Sequence, residues 1–461
     1  MKPIVIIKDD DSISFLYEQL YTDIKKQIME GDMVEGERCP SIRGIAADLE
    51  ISVTTVMQAY NQLLAEGYIK NRPGSGYFVE RIRTGDVITV ADKASDFIPG
   101  EFSHIDTEYM YDEEAFDFIR WKKCAAKIYT EYSESLLFGS DLKGEYALRM
   151  EISKYLFHSR GVKANPENII IAAGTQQSIF HLGRILKAKG IGLIGLEKPG
   201  YTPVKSMFED AGFSTSSVPV SELGIEISML PANIVSAVYV NPSNQFPTGV
   251  VMPAGRRYEI LEWAANNDSY IIEDDYNSEL RYFGKPLPTI KSLDTRDRVI
   301  YLGSFSSTLF SAIKISYMVL PAELTGVFEK IKKNYSQTCS KAEQLTLAYY
   351  MSEGYYYTAI RKKRALYTKK LKATVDAFEK HKYEGIELIN TNSGLFVTIR
   401  ISTDKDADKY IEIAKDLRLY TSILDEISTK NEHYISIYYS FVPFNLIDDI
   451  LKNLITRWRN V

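Results

Sequence analysis

Residues 169–188 read IIIAAGTQQSIFHLGRILKA. The apolar run Ile169–Ala172 has the length and composition of a buried strand. Gly174-Thr175-Gln176 follows it and opens a helix. The first N–H groups of such a helix have no partner within it, so this turn can cradle a phosphate. The same succession recurs downstream, with strands expected at Ile191–Leu196, Ala237–Val240, Tyr270–Ile272, Val299–Leu302 and Ser316–Leu320. Strands alternating with helices imply an α/β body with a mostly parallel sheet covered on both faces. From about residue 350 a long charged helix, Tyr355–Lys380, and the run Leu395–Ile401 suggest a smaller C-terminal α+β subdomain, about 350–461.

Toward the N-terminus the punctuation changes. Phe15, Leu16, Leu20, Ile24 and Ile28 recur at helical spacing and Gly31 ends that helix. Pro40-Ser41 opens a second helix with Ile42, Ile45, Ala46 and Leu49. Ser52 is placed to cap a third, which carries Val56, Tyr60, Leu63 and Leu64 and closes at Gly67. Tyr68–Lys70 and Tyr77–Val79 read as two strands around the turn-rich tip Arg72–Gly76. This divides the chain into a head, 1–80, a linker without periodicity, 81–112, and the body, 113–461.

With 461 residues the chain is long enough for two or three domains. Its net charge of −6 means that the whole molecule does not attract DNA, so any nucleic-acid contact needs a local patch. Cys39, Cys124 and Cys339 form neither a CxxC metal pair nor a disulfide framework, and no metal site is expected. The opening MKPIVIIKDDD is not a signal peptide, and no apolar run approaches a membrane span. A cytoplasmic protein with no membrane partner is expected.

Four pieces of the head are specific: Cys39–Ala46, Ile51–Val56, Gly67–Ile69 and Gly74–Val79. Together they resemble the GntR-type winged helix-turn-helix along nearly all of residues 12–80. The resemblance implies an operator-DNA interface formed by Ser41, Arg43, Ser52, Thr54, Thr55, Arg72, Gly74 and Ser75. A recognition helix starting at Ser52 would turn hydroxyls and N–H groups toward phosphates and base edges. The alternative is a winged helix used for protein contacts alone, since residues 1–83 hold ten Lys/Arg against thirteen Asp/Glu. Many of those acids cluster at 9–11 and 30–37, away from the reading elements. Where the family usually has an arginine after the recognition-helix serine, this chain has Val53.

The body, from Trp121 on, resembles the fold-type I aminotransferases, in the variant fused to such a head, the MocR/GabR regulators. The matching pieces are Phe138–Gly144 with Leu148-Arg149, Arg160–Val162, Ala173–Gln177, Glu197–Tyr201, Asn241–Gly249, Glu273–Tyr276, and Gly303–Ser307 with Ile315–Tyr317. In that family the cofactor is pyridoxal 5'-phosphate. The resemblance implies that Gly174, Thr175, Gln176, Ser304 and Ser306 surround its phosphate, and that Tyr201 stacks on the ring. Asp274 would pair with the ring nitrogen, Tyr276 would meet the ring hydroxyl, and Asn244 would stand near the ring. Alignment, not spacing, selects Asp274 over Asp275.

Three positions depart from the family. Ser307 stands where the family carries the lysine that makes the Schiff base, and a hydroxyl cannot replace an amine there. Lys314 stands at the phosphate-binding arginine. Ser436 stands at the arginine that clamps a substrate carboxylate, so the bidentate fork is lost. Ser307 alone has three readings: natural loss of the chemistry, an engineered change, or replacement by another lysine reaching in. Three concurrent changes favour the first. The expected protein is a one-component DNA-binding regulator, not an enzyme. Its body would form a head-to-tail homodimer and sense an unknown small-molecule effector, with no covalent cofactor and any pyridoxal phosphate held non-covalently. The competing expectations are an active pyridoxal-phosphate aminotransferase with an accessory DNA-binding domain, and a scaffold that only dimerises.

Overall fold

The computed structural model describes residues 15–80, 112–280, 287–391 and 394–461. The chain divides into two compact units, 1–103 and 104–461. The expected linker, 81–112, lies outside the described residues except for Asp112.

In the first unit, α1 (Leu16–Met29), α2 (Ile42–Asp48) and α3 (Val53–Ala65) precede an antiparallel hairpin of β1 (Ile69–Arg72) and β2 (Gly76–Val79). Serines set both short helix starts. Ser41 Oγ accepts from Gly44 N at 2.9 Å, and Ser52 Oγ accepts from Thr55 N at 3.0 Å. Leu20, Ile24, Ile45, Val56, Ala59, Tyr60 and Leu63 fill the core between the helices, with Ile69 and Val79 sealing it from the hairpin. Tyr21 and Lys25 reach from α1 to Glu66 behind α3, which ties the two helices together.

The second unit is built on an eight-stranded sheet. Its strands are β3 (Ile169–Ala172), β4 (Leu193–Lys198), β5 (Ser214–Ser221), β6 (Gly224–Ile225), β7 (Ala237–Val240), β8 (Tyr270–Asp274), β9 (Val299–Ser304) and β10 (Ser316–Val319). The spatial order is β3-β10-β9-β8-β7-β4-β5-β6. Six strands run the same way, and only β10 and β6 oppose them. One core lies on each face: Ile170, Leu182, Leu186, Ile194 and Ile272 on one side, Val238, Val240, Ile260 and Ile271 on the other. Consecutive residues Ile271 and Ile272 therefore enter opposite cores, as the strand pleat requires.

The strand β5, STSSVPVS, was not among the expected strands. Only Val218 within it is fully buried, so it carries no apolar run to mark it. The smaller subdomain is a four-stranded antiparallel sheet in the order β11-β12-β14-β13, made of Ile386–Ile389, Val397–Ser402, Glu432–Ile437 and Thr421–Ile423 respectively. The helix Tyr355–His381 and the C-terminal helix Ile447–Trp458 pack with it around a separate core. The fold thus comprises a winged helix-turn-helix head and an α/β aminotransferase-like body. No described helix is long and apolar enough to cross a membrane.

Candidate functional site

The carboxyl ends of the parallel strands converge, which is where open α/β sheets form their ligand crevices. Here β3 leads to Thr175, β4 to Tyr201, β7 to Asn241, β8 to Asp274 and Tyr276, and β9 to Ser304, Ser306 and Ser307. All of these line one cavity of about 490 Å³, together with Tyr239, Phe246, Asn277, Ser311, and Leu395, Phe396 and Tyr438 from the smaller subdomain. Among the described residues, neither lysine nor arginine lines it.

The acidic run Glu273-Asp274-Asp275 shows how the pleat assigns roles. Glu273 turns away from the cavity and accepts from Ile290 N at 2.9 Å and Lys291 N at 2.8 Å, fastening the next helix to the sheet. Asp274 faces the cavity and accepts from the Tyr239 hydroxyl. Asp275 turns back into the protein, where Arg160 Nε (2.7 Å), Ser243 Oγ (2.5 Å) and Tyr301 OH (2.6 Å) all donate to it. Burial pushes the Asp274 carboxyl up to about 6, against the opposing pull of Tyr239. It lifts Glu197 further, to about 8, although Asn241 N (3.1 Å) and Gln245 Nε2 (3.3 Å) donate to that carboxyl. The Tyr276 hydroxyl is buried and has no hydrogen-bond partner, an uncompensated polar group facing a cavity.

At the other end, Gly174 caps the helix Thr175–Ala188 with φ of 84° and supplies no side chain to its N–H groups. A Cβ at Gly174 would lie 3.9 Å from Lys314 Cδ, so the Lys314 stem passes beside that helix start. Among the sequence-derived residues, Thr175, Tyr201, Asp274, Tyr276, Ser304, Ser306 and Ser307 come together on the cavity wall. Gly174, Gln176, Asn244, Lys314 and Ser436 do not line it. Gln176 is exposed in the first helical turn. Asn244 is buried, its Nδ2 3.1 Å from where a Gly394 Cβ would stand. Ser436 is buried on β14, its hydroxyl 2.8 Å from that of Ser422 on β13.

Residues missed in the sequence are Tyr239, Asn241, Phe246, Asn277, Ser311, Leu395, Phe396 and Tyr438. Asn241 and Phe246 lie within a quoted motif. Leu395 and Phe396 lie in the expected run Leu395–Ile401 and Tyr438 two residues after Ser436, but all three belong to the smaller subdomain, and nothing local marks them as facing the cavity. The lysine that meets Ser307 is Lys363, whose buried Nζ donates to Ser307 O at 3.1 Å and Leu309 O at 2.7 Å. Desolvation lowers this amine to about 8, and it holds backbone rather than entering the cavity.

In the head, Ser41 and Ser52 act as helix caps. The Ser52 and Thr55 hydroxyls are 2.7 Å apart, so Thr55 is tied to the cap, while Thr54 is exposed. Arg43 is exposed in the first turn of α2. Arg72 ends β1 with its guanidinium 4.5 Å from the Phe78 ring centroid. Gly74 has φ of 75°, and the tip closes through Ser75 N donating to Arg72 O at 2.8 Å.

Comparison with known proteins matches both units. The profile of bacterial regulatory proteins of the gntR family covers residues 16–79, and that of aminotransferase class I and II covers residues 107–430. "Uncharacterized HTH-type transcriptional regulator YdeL" of Bacillus subtilis is 34% identical over 96% of this chain and 97% of that protein. "Probable rhizopine catabolism regulatory protein MocR" of Rhizobium meliloti is 30% identical over 86% of this chain and 84% of its own length. Among solved structures, a multiple substrate aminotransferase from Thermococcus profundus superposes with a TM-score of 0.66 at 25% identity, covering 76% of this chain and 91% of that one. The chain belongs to the aminotransferase class I and II family, among the helix-turn-helix transcriptional regulators that carry a gntR head on an aminotransferase-like body.

Proposed function

We propose that this protein binds operator DNA as a homodimer and that its body senses a small molecule non-covalently, without transaminating. The observation that carries this reading is the composition of the cavity wall. Among the described residues it offers four tyrosines, four serines, Thr175, Asn241, Asn277 and Asp274, and no lysine. By resemblance Ser307 stands where the family has its lysine and Ser436 where it has its carboxylate-binding arginine. A substrate amine therefore has no covalent anchor to exchange with, and a substrate carboxylate has no bidentate partner.

The wall still fits much of the family's cofactor. Asp274 is placed to accept from a protonated ring nitrogen, the unpartnered Tyr276 hydroxyl to meet a ring hydroxyl, and Tyr201 to cover a ring face. Thr175, Ser304 and the open helix start at Gly174 suit a phosphate. Ser306 Oγ already donates to Ile313 O at 2.8 Å, so it offers lone pairs rather than its proton. When bound in the family, pyridoxal phosphate supplies an electron sink for amine chemistry. Here the chain's own residues can bind and orient such a ring, or another planar or cationic ligand, but the described wall supplies no lysine to carry a proton between ring and substrate. A regulatory role accords with the relatives' names, and a cytoplasmic location goes with that proposed role.

A visible spectrum of the purified protein with added pyridoxal phosphate, before and after borohydride, tests the reading. The expected result is a ligand that dialyses away and no reduced adduct on any lysine peptide. A reducible band mapping to a lysine would overturn it.

A further inference from the structure

The helix α3 carries no charged residue: Val53–Ala65 reads VTTVMQAYNQLLA. Its inward side, Val56, Ala59, Tyr60 and Leu63, is fully buried in the head core. The opposite side exposes Val53, Thr54, Met57, Gln58 and Asn61 along one stripe, with spacings of three and four residues. Val53 is 48% exposed and Met57 44%, so two apolar side chains on successive turns face solvent at the start of this helix. Cations stand on other elements of the head instead. Arg43 is exposed on α2, Arg72 on β1, and Arg38 lies against the hairpin, its guanidinium 3.5 Å from where a Gly76 Cβ would be. No ion pair engages any of the three among the described residues.

Major-groove chemistry sorts these groups. Guanine is read by a bidentate Arg or Lys at O6 and N7, thymine by apolar contact with its C5-methyl, and adenine by a Gln or Asn at N6 and N7. The face of α3 owns nothing for the first task and has groups for the other two. We propose that α3 reads an A·T-rich half-site. Val53 and Met57 cover thymine methyl groups, Gln58 bonds an adenine edge, and Arg38, Arg43 and Arg72 hold the flanking phosphates. Position 53 thereby sets base preference. This rests on the head being a DNA-binding unit.

The test uses the full chain and a pool of random-sequence DNA duplexes, from which bound sites are selected and sequenced. Single thymines in a selected half-site are then replaced by deoxyuridine, which deletes only the C5-methyl, and affinities are compared. The expected outcome is A·T-rich half-sites and a loss of about fourfold at each methyl that is contacted, the equivalent of the ~0.8 kcal/mol of one buried CH₂. Val53→Ala should abolish the thymine–uracil difference at one position. Val53→Arg should move the preference there to G·C. Both changes fall on an exposed side chain, and the thymine–uracil comparison on the unaltered protein needs neither variant. Half-sites led by G·C pairs, or uracil bound as tightly as thymine at every position, would overturn the proposal while leaving DNA binding intact. A pool in which no sequence is enriched would instead remove the DNA-binding reading itself, and this proposal with it.

Discussion

At the scale of single residues, the cavity is defined by what its side chains cannot do. Ser307 faces it with a hydroxyl, and the amine that meets the Ser307 backbone, Lys363, is engaged on two carbonyls. Ser307→Lys should therefore give a coloured, borohydride-reducible complex with pyridoxal phosphate, because in the proposed reading Asp274 and Tyr276 hold its ring. It should not support a complete half-reaction with a common amino acid, because Ser436 leaves the carboxylate unclamped. Single-turnover absorbance with an amino acid checks both halves, and a full half-reaction would show that the site lacked only the lysine. Glu197 gives a second prediction. Its carboxyl is pushed up to about 8 by burial, above the unfolded value, so the folded state keeps a proton that the unfolded state has lost. Stability from this group is then greatest at low pH and falls as pH rises toward about 8, by at most about 1.4 kcal/mol per pH unit. Thermal melts of the body from pH 6 to 8.5 should slope downward, and Glu197→Gln, which keeps an acceptor oxygen, should flatten that slope. An unchanged slope would place the proton elsewhere.

At the scale of elements, the proposed DNA interface divides its labour between cations and a neutral helix. Arg43 and Arg72 lie on α2 and the hairpin, outside α3. Arg43→Ala and Arg72→Ala should each weaken binding to a selected site by a similar factor across sequences. Each should also reduce the steepness of the log–log salt dependence by about 0.9, the contribution of one lost phosphate contact. Fluorescence anisotropy at several salt concentrations measures this, and variants that match the unaltered protein at every salt would take both arginines off the DNA. In the body, a comparable join links the turn before β14 to the large sheet. Glu426 accepts from Gly200 N at 2.8 Å and Thr202 Oγ1 at 3.4 Å, closing the smaller subdomain over the start of the helix Thr202–Asp210.

At the scale of the whole molecule, the proposed homodimer needs a face. Leu137 and Phe138, at 83% and 71% exposure, are the most open large apolar side chains described in the body. They are adjacent, at the end of the short 3-10 helix Ser133–Leu137. Apolar exposure of this kind marks interaction surfaces. The full chain, 52.4 kDa, should sediment at about twice that mass. Leu137→Asp combined with Phe138→Asp should yield a monomer that binds one half-site and loses the gain from a second, since a two-fold dimer meets a two-fold operator. A variant that stays dimeric would move the interface elsewhere.

Most elements and their kinds were legible in local sequence signals. Local signals were enough for Ser41 and Ser52 to mark helix starts, for apolar runs to mark β3, β7, β8 and β9, and for Gly174 to mark a helix opening. The sequence also located the strand-end motifs, because each is contiguous. What it did not contain is which neighbour in a motif faces the cavity. Glu273, Asp274 and Asp275 are three acids in a row, and only the pleat of a strand held between β7 and β9 sends one to the cavity and two to the interior. The polar strand β5 was illegible for a related reason: its place near the sheet edge leaves a single residue fully buried. The apolar wall from Leu395, Phe396 and Tyr438 exists only because the smaller subdomain folds back over the sheet. Ser436, some 130 residues beyond Ser307, is held on β14 by Ser422 rather than on the cavity wall, a placement that depends on strand pairing and leaves no mark on its immediate neighbours.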